Sequence, residues 1–349
     1  MTLTELFISQ EISIREAMKR LDITAKKILL VIEDKKLIGI ITDGDIRRWI
    51  LKNGDLNSQV NEVMIKAPKF IYENERFKAK KVLEEKSIEA IPVLNSKNEV
   101  VDIIFLNDKF NEKLYRAKKI NTPVVIMAGG KGTRLEPYTK ILPKPLIPIG
   151  DIPIVERIIN RFEKYGCKEF YMTVNYKKNM IKAYFNEIEK SYEISYIDED
   201  KPLGTVGSLC FLKGRIRDSF FVSNCDILIE GDYAKMLKYH KEHKAKITLI
   251  TSLKHFTIPY GVVELNADSD VKSMIEKPGY DFLVNTGMYI LEAEVLNDIP
   301  ENTFYHMTDL INDYVEKGEK IGVYPVSEGA WLDMGQFKEM EMMIERLGL

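Results

Sequence analysis

The chain has 349 residues, 45% of them hydrophobic, which is enough for about two domains with cores of their own. Its 51 Lys and Arg against 53 Asp and Glu leave a formal charge of -2, which disfavours binding of nucleic acid over the whole surface and makes any strong positive charge local. Three cysteines (Cys167, Cys210, Cys225) without paired spacing suggest neither a disulfide framework nor a zinc cluster. No stretch approaches the roughly 20 apolar residues of a membrane span, and Met1-Thr-Leu-Thr-Glu-Leu-Phe7 lacks a basic segment followed by an apolar run. A soluble, cytoplasmic protein with no membrane partner is expected.

Residues 1 to about 116 hold an internal repeat, with copies at about 1–57 and 58–112. The first copy has Ala17, Met18 and Leu21 on one helical face, then the strands Ile28-Leu-Leu-Val-Ile32 and Leu37-Ile-Gly-Ile-Ile41. The second has Ala79, Val82 and Leu83, then Ala90-Ile-Pro-Val-Leu94 and Val100-Val-Asp-Ile-Ile104. Neither copy is long enough to bury a convincing core alone; two packed together are.

Gly39-Ile-Ile-Thr-Asp-Gly-Asp45 resembles the signature that closes a CBS motif, and the pair resembles an α+β CBS tandem. The resemblance implies Thr42 at the phosphate and Asp45 at the ribose of an adenine nucleotide. The physics agrees: a hydroxyl where a strand meets a helix N-terminus suits phosphate, and a carboxylate suits paired ribose hydroxyls. The second copy departs from the pattern, with Asp102 in place of the Gly and Phe105 in place of the Thr, although Asp108 remains. At most one site is intact, and a pair that only dimerises is the alternative. CBS tandems usually pair across a two-fold axis, so the resemblance implies a homodimer.

Residues 107–121 are polar, with Lys109, Lys113, Arg116, Lys118 and Lys119, and read as a linker into a second domain over 117–349. There, strands and helices alternate. An apolar, β-branched strand over 123–127 runs into Met127-Ala-Gly-Gly-Lys-Gly-Thr-Arg-Leu135, followed by Leu142-Pro-Lys-Pro145. Asp151 and Pro153 suit a helix start, Val155, Ile158, Ile159 and Phe162 have helical spacing, and Gly166 stops the helix. Phe170-Tyr-Met-Thr-Val174, residues 192–197, Phe220-Phe-Val-Ser223 and Ile247-Thr-Leu-Ile250 read as strands, and Ile181, Tyr184, Phe185 and Ile188 as a helix between two of them. Gly261-Val-Val-Glu-Leu265 and Val271-Lys-Ser-Met-Ile275, joined by a turn-forming group, read as a hairpin laid over the site. A last helix carries Phe337, Met340, Ile344 and Leu347. The pattern is βαβα. It predicts an α/β fold with a mainly parallel, Rossmann-like sheet, ligands binding beyond the carboxyl ends of the strands.

The glycine stretch suits phosphates. Gly129, Gly130 and Gly132 leave backbone amides open to close approach, and Arg134 and Lys144 add fixed positive charge, with Lys131 nearby. It is not a Walker loop, in which Ser or Thr directly follows the Lys, since Gly132 follows Lys131, and it lacks the third glycine of a dinucleotide loop. Gly-Gly-x-Gly-Thr-Arg-Leu followed by Pro-Lys-Pro resembles the signature of the sugar-phosphate nucleotidyltransferases, whose fold is GT-A-like. The resemblance covers nearly all of 120–340. On it, Ala128, Gly129, Gly130, Gly132 and Thr133 belong to the nucleotide loop, and Gly204 and Thr205, within Lys201-Pro-Leu-Gly-Thr-Val-Gly-Ser-Leu209, to the loop that holds the base. Tyr260, Gly261, Glu276, Asn285 and Gly287 match the sugar-binding segments, and Lys277 stands among them. Asp226, in Asn224-Cys-Asp226, and Asp333, in Trp331-Leu-Asp-Met-Gly335, match the two metal aspartates, which implies Mg²⁺. Gln336 replaces the more usual Thr or Ser.

Each assignment has a plainer alternative: Asp226 as a helix cap, Lys277 as a solvated lysine, Tyr260 as packing, Cys225 as a small buried residue. His240, His243, His255 and His306 share no spacing and read as surface or structural. The resemblance implies condensation of an NTP with a sugar 1-phosphate, with Arg134, Lys144, Asp226 and Lys277 as the catalytic set. A CBS pair ahead of a short nucleotidyltransferase resembles the glucosamine-1-phosphate guanylyltransferases of bacterial legionaminic acid synthesis, which implies GTP and glucosamine 1-phosphate. Mannose-1-phosphate guanylyltransferase and glucose-1-phosphate uridylyl-, thymidylyl- or cytidylyltransferases are the alternatives. A nucleotide-sensing subunit with an inactive catalytic domain is the reading outside enzymology. Retention of Arg134, Lys144, Asp226 and Asp333 together speaks against it.

Overall fold

The computed structural model describes residues 2–24, 26–86, 88–105 and 118–349, less the side chains at 80 and 84. Asp108, Lys109, Lys113 and Arg116, and with them most of the expected linker, lie outside the described residues. The chain divides into two compact units, Met1–Arg116 and Ala117–Leu349.

The first unit contains two three-stranded sheets of the same design. In one, Phe7–Ile8 pairs in parallel with Ile28–Glu33, which pairs antiparallel with Lys36–Thr42. In the other, Ile71–Tyr72, Ala90–Leu94 and Val100–Phe105 repeat that order and those directions. Both hairpins carry a register irregularity, at Val31/Ile32 and at Val93/Leu94. The copies share a core: Ala90 and Ile103 of the second pack into the cluster that holds Leu29, Val31 and Ile41 of the first.

Thr42 and Asp45 occupy the start of the helix Asp43–Ile50. Thr42 is its N-cap, accepting from the Asp45 amide, while the Asp45 carboxylate accepts from the Thr42 amide (2.9 Å) and hydroxyl (2.5 Å). Its other oxygen holds Arg48. This is a capping box made with Asp, so both side chains serve the helix start.

The second unit is built on one seven-stranded sheet. Its order is Glu193–Asp198, Glu169–Val174, Val124–Ala128, Phe220–Asn224, Gly279–Leu291, Ile247–Thr257 and Ile321–Val326. The first four strands run parallel, and Gly279–Leu291 runs antiparallel to both of its neighbours. Val124–Ala128 is the central strand of three, between Glu169–Val174 and Phe220–Asn224, and its alternate residues feed opposite faces. Val124 and Ile126 join one core with Ile158, Phe162 and Phe185, and Val125 joins another with Leu209, Leu296 and Leu310. Val155, Ile158, Ile159 and Phe162 are buried along one stripe of the helix Ile154–Lys164, and Gly166 follows it in a left-handed conformation. Asp151 does not cap that helix. Pro153 holds the cap position with φ of -62°, and Asp151 reaches Arg157 at 2.7 Å.

The register sets the site. Ala128 aligns with Val174, and Met127 with Asn224. The carboxyl ends of three parallel strands therefore finish on one edge of the sheet. The central strand has its neighbours on opposite sides, so a crevice opens above it. Among the described residues no helix is long and apolar enough to cross a membrane.

Candidate active site

The central strand ends at Ala128 and the glycines follow. Gly132 sits at φ of +69°, and a Cβ there would come within 2.9 Å of the Lys144 Cβ and 3.0 Å of the Thr139 Cγ2. Both the turn and the close approach therefore exclude a side chain. Thr133–Leu135 then forms a single 3-10 turn that leaves Thr133 and Arg134 exposed beside the crevice. Pro143 delivers Lys144 into a second such turn, where only 8% of the residue is exposed. There its ammonium pairs with the carboxylate of Asp226, itself 9% exposed.

Asp226 and Asp333 are far apart in sequence and adjacent in space. Beyond Asn224 the chain turns and forms a short antiparallel pair, Ile227–Ile229 with Trp331–Asp333, in which Ile227 aligns with Asp333. The Met334 amide donates to the Asp226 carbonyl at 2.8 Å. Burial raises the Asp333 pKa, and the charge of Asp226 adds to it, while Lys144, the Gly335 amide and Arg134 act in the opposite direction. Two carboxylates side by side, open to a polar cavity, form a hard oxygen donor set that fits Mg²⁺. Among the described residues no group of three or more His, Cys, Asp or Glu side chains is placed to hold a metal ion. An ion here would take its remaining ligands from phosphate and water. Cys225, between these elements, is inert: burial, then the charge of Asp226, pushes its thiol up to about 12.

A second wall comes from residues 203–207, clamped by residues 303–307. The Tyr305 amide donates to the Leu203 carbonyl (3.0 Å), and the Tyr305 carbonyl accepts from Val206 and Gly207 (3.1 and 3.2 Å). Gly204 stands at φ of +81° against the Tyr305 backbone, where any Cβ would collide. The Thr205 hydroxyl accepts from the Met307 amide at 2.9 Å and so anchors the helix Met307–Glu316.

These walls enclose two adjoining cavities. The first, of about 410 Å³, is lined by Gly129, Gly130, Gly132 and Thr133 on one side and by Gly204 on the other. Lys144 also lines it. The second, of about 360 Å³, is lined by Asn285, Gly287 and Asp333. Arg134, Thr205 and Asp226 border both. Ala128 lies just behind the first, buried at the strand end.

The nucleotidyl transferase family model matches residues 123–347, well over half of the chain. The chain belongs to that family. A CBS domain model matches residues 1–52, the first copy of the repeat. This nucleotidyl transferase is 35% identical over 220 residues to the bifunctional protein GlmU of Methanococcus maripaludis, covering 60% of this chain and 51% of that one. It is 31% identical over 229 residues to a mannose-1-phosphate guanyltransferase of Schizosaccharomyces pombe, with 62% and 61% covered. The chain thus spans about half the length of the first of these curated relatives. Among solved structures, HddC of Yersinia pseudotuberculosis aligns at 25% identity with a TM-score of 0.51, over 65% of this chain and 99% of that one.

Four of the residues matched to sugar-binding segments or catalysis stand elsewhere in the nucleotidyl transferase unit. Tyr260, Gly261, Glu276 and Lys277 lie on and around the hairpin Val262–Leu265/Val271–Ile275 and line neither cavity. Tyr260 is 74% exposed, and Glu276 and Lys277 are exposed as well. They remain together, since the Glu276 carboxylate lies beside Gly261. Asn285 hydrogen-bonds the Tyr289 hydroxyl at 2.6 Å and accepts from the Gly287 amide at 3.1 Å. Conversely, the cavities have lining residues that the sequence reading passed over. His306, read as surface or structural, borders both cavities and contacts Thr205. Phe304, 60% exposed, lines the first. So does Glu199, a buried carboxylate one residue past a strand end. Of the other histidines, His240 is buried against Thr248 and Glu292, and His243 is exposed.

Proposed function

We propose that this chain joins an NTP to a sugar 1-phosphate. A phosphate oxygen of the sugar attacks the α-phosphorus, the bond from that phosphorus to the β-phosphate oxygen breaks, and pyrophosphate leaves. The observation that carries the reading is the convergence of the glycine loop, Lys144, Asp226 and Asp333 on adjoining cavities at one sheet edge. The attacking phosphate is already anionic at neutral pH, so no general base is needed. The protein's work is positioning and charge neutralisation. The glycine-loop amides and Arg134 hold the triphosphate, and Lys144 draws two anions together against their repulsion. Asp226 and Asp333 would hold Mg²⁺, which supplies charge neutralisation at the phosphates when bound. Asn285 and Gly287 border the sugar. Tyr260, Gly261, Glu276 and Lys277 join them if the hairpin closes over the second cavity.

GTP and glucosamine 1-phosphate are the proposed pair, supported by the order of a CBS repeat ahead of a short transferase unit. The resemblance to a mannose-1-phosphate guanyltransferase supports guanylyl transfer and makes mannose 1-phosphate the second choice of sugar. A matrix of NTPs against sugar 1-phosphates, scored by pyrophosphate release, tests this. It includes glucosamine 1-phosphate beside its N-acetyl form. GTP with glucosamine 1-phosphate is expected to give the highest kcat/KM, and EDTA to abolish turnover until Mg²⁺ is restored. Absence of pyrophosphate with every pair would sink the reading.

The repeat is proposed to bind an adenine nucleotide at Thr42 and Asp45 in a homodimer and to tune turnover. The place of these residues at a helix start supports it, since a phosphate there is drawn to the helix N-terminus and would displace the capping contacts that Thr42 and Asp45 make in its absence. AMP or ATP is expected to change kcat or KM in the wild type and to have no effect in Asp45→Ala. That variant also weakens the first unit by about 1 kcal/mol through loss of the cap. No effect on turnover and no binding of either nucleotide would leave the repeat as a dimerisation device, and an equal effect in both chains would remove Asp45 from the site.

A further inference from the structure

We propose that His306 is a further catalytic residue of this site, its imidazole Nε2–H donating to a non-bridging oxygen of the α-phosphate during the transfer. This rests on the nucleotidyl transfer proposed above and adds to it a donor from the wall opposite Lys144.

Placement comes first. The α-phosphorus is bonded to the nucleotide before the transfer and to the sugar phosphate after it, so it belongs where the two cavities meet. Arg134, Thr205, Asn224, Asp226 and His306 border both. The lysine and arginine that line the cavities, Lys144 and Arg134, stand on the glycine-loop wall, and Lys144 is already paired with Asp226. On the opposite wall and the helix start that follows it, the side-chain donors are Thr205, His306 and Thr308, and Thr308 borders the second cavity only. His306 is held in place. It is the N-cap of the helix Met307–Glu316, its amide donating to the Asp309 carboxylate at 2.9 Å, and the Phe304 ring meets its imidazole edge-on with centroids 4.7 Å apart.

Chemistry comes second. The Thr205 hydroxyl accepts from the Met307 amide at 2.9 Å and lies 3.4 Å from His306 Nδ1. Such contacts are commonly long until substrate is bound. With one lone pair of the hydroxyl in use, its hydrogen turns to Nδ1, which makes Nδ1 the acceptor and puts the ring proton on Nε2. Nε2, on the far side of the ring, has no partner among the described residues. A second proton on the ring would leave Nε2–H where it is, so the donor is present in either charge state. In the transfer, a sugar phosphate oxygen bonds to the α-phosphorus while the bond to the β-phosphate oxygen breaks, and charge is carried on the two non-bridging oxygens. One of them faces the Asp226 side and the other faces His306. The imidazole keeps its proton throughout and acts as a fixed donor to that charge.

The test uses the full chain, Mg²⁺, and the NTP and sugar 1-phosphate that turn over fastest in the matrix above, with pyrophosphate release as the readout and circular dichroism as the check on folding. His306→Phe keeps a ring and loses the donor; it is expected to lose about 100-fold in kcat, with KM for the NTP changed by less than about 3-fold. Two amides separate catalysis from packing. The amide nitrogen of Gln reaches the place of Nε2, whereas that of Asn reaches only the place of Nδ1. His306→Gln is expected to stay within about 10-fold of the wild type, and His306→Asn, which keeps the contact with Thr205, to fall as far as His306→Phe. The two α-thio diastereomers of the same NTP give a second readout, since sulfur accepts hydrogen bonds poorly. The diastereomer that sets sulfur against His306 is expected to be slowed in the wild type and not further slowed in His306→Phe, and the other to be slowed equally in both. His306→Asn as active as His306→Gln, a loss confined to KM, or the same diastereomer ratio in the wild type and His306→Phe would overturn the assignment while leaving the transfer standing. A wild type that releases pyrophosphate with no pair would sink the transfer and this role with it.

Discussion

Asp226→Asn is expected to cut kcat/KM by about 1,000-fold or more while the chain remains folded but less stable. Asp226 holds Lys144 in a site where both are nearly buried, and it raises the pKa of Asp333. Its charge therefore serves both the lysine and the proposed cation. Removing it weakens the hold on Mg²⁺ and on the charge that develops as pyrophosphate departs. It also leaves a buried ammonium with Asp333 as its remaining carboxylate neighbour, at a cost of about 3 kcal/mol. Urea unfolding and steady-state turnover separate the two losses. Adding Lys144→Met to Asp226→Asn is expected to recover most of the stability and none of the activity. Recovery of activity in the double variant would show the aspartate to be structural, and near-normal turnover in Asp226→Asn would remove it from the catalytic set.

Much of the transferase unit is legible because its signals are local. The β-branched run ahead of Gly129 reads as a buried strand, and the stripe from Val155 to Phe162 reads as a helix on one face of the sheet; both are there. What pairs with what is less local. Gly279–Leu291 inserts antiparallel between Phe220–Asn224 and Ile247–Thr257, and nothing in its own residues names those partners. It is this insertion that brings Asn285 and Gly287 to the second cavity. Glu199 is hidden for a different reason. It stands in Asp198-Glu199-Asp200, where three acids in a row give no sign of which is buried. Strand alternation buries the middle acid and leaves Asp198 outside on Lys182 at 2.8 Å. The same limit applies to Asp45: Thr-x-x-Asp at a strand end suits both a ribose and a capping box, and the spacing alone does not separate them.

Gly132→Ala is expected to lower kcat/KM for the NTP by about 100-fold, with most of the change in KM, and to leave the far-UV circular dichroism unchanged. Two costs meet at this position. Alanine at φ of +69° is strained by roughly 1 kcal/mol or more. Its methyl group would press on the Lys144 Cβ at 2.9 Å and the Thr139 Cγ2 at 3.0 Å, atoms that cannot swing aside as the end of a long side chain can. Relief comes only by shifting the loop or Lys144. Either shift turns the amides after Gly130 away from the phosphates or draws the ammonium off Asp226. A displacement of about 1 Å in a positioning element is enough for a loss of this size. Gly130→Ala is the control, since a Cβ there meets nothing within 4 Å and its φ carries no such strain. It is expected to change turnover by less than about 10-fold, unless the phosphate itself fills that space. Equal effects at the two positions would mean that the loop acts through its openness to ligand alone, and that the packing of Gly132 on Lys144 carries no part of the catalysis.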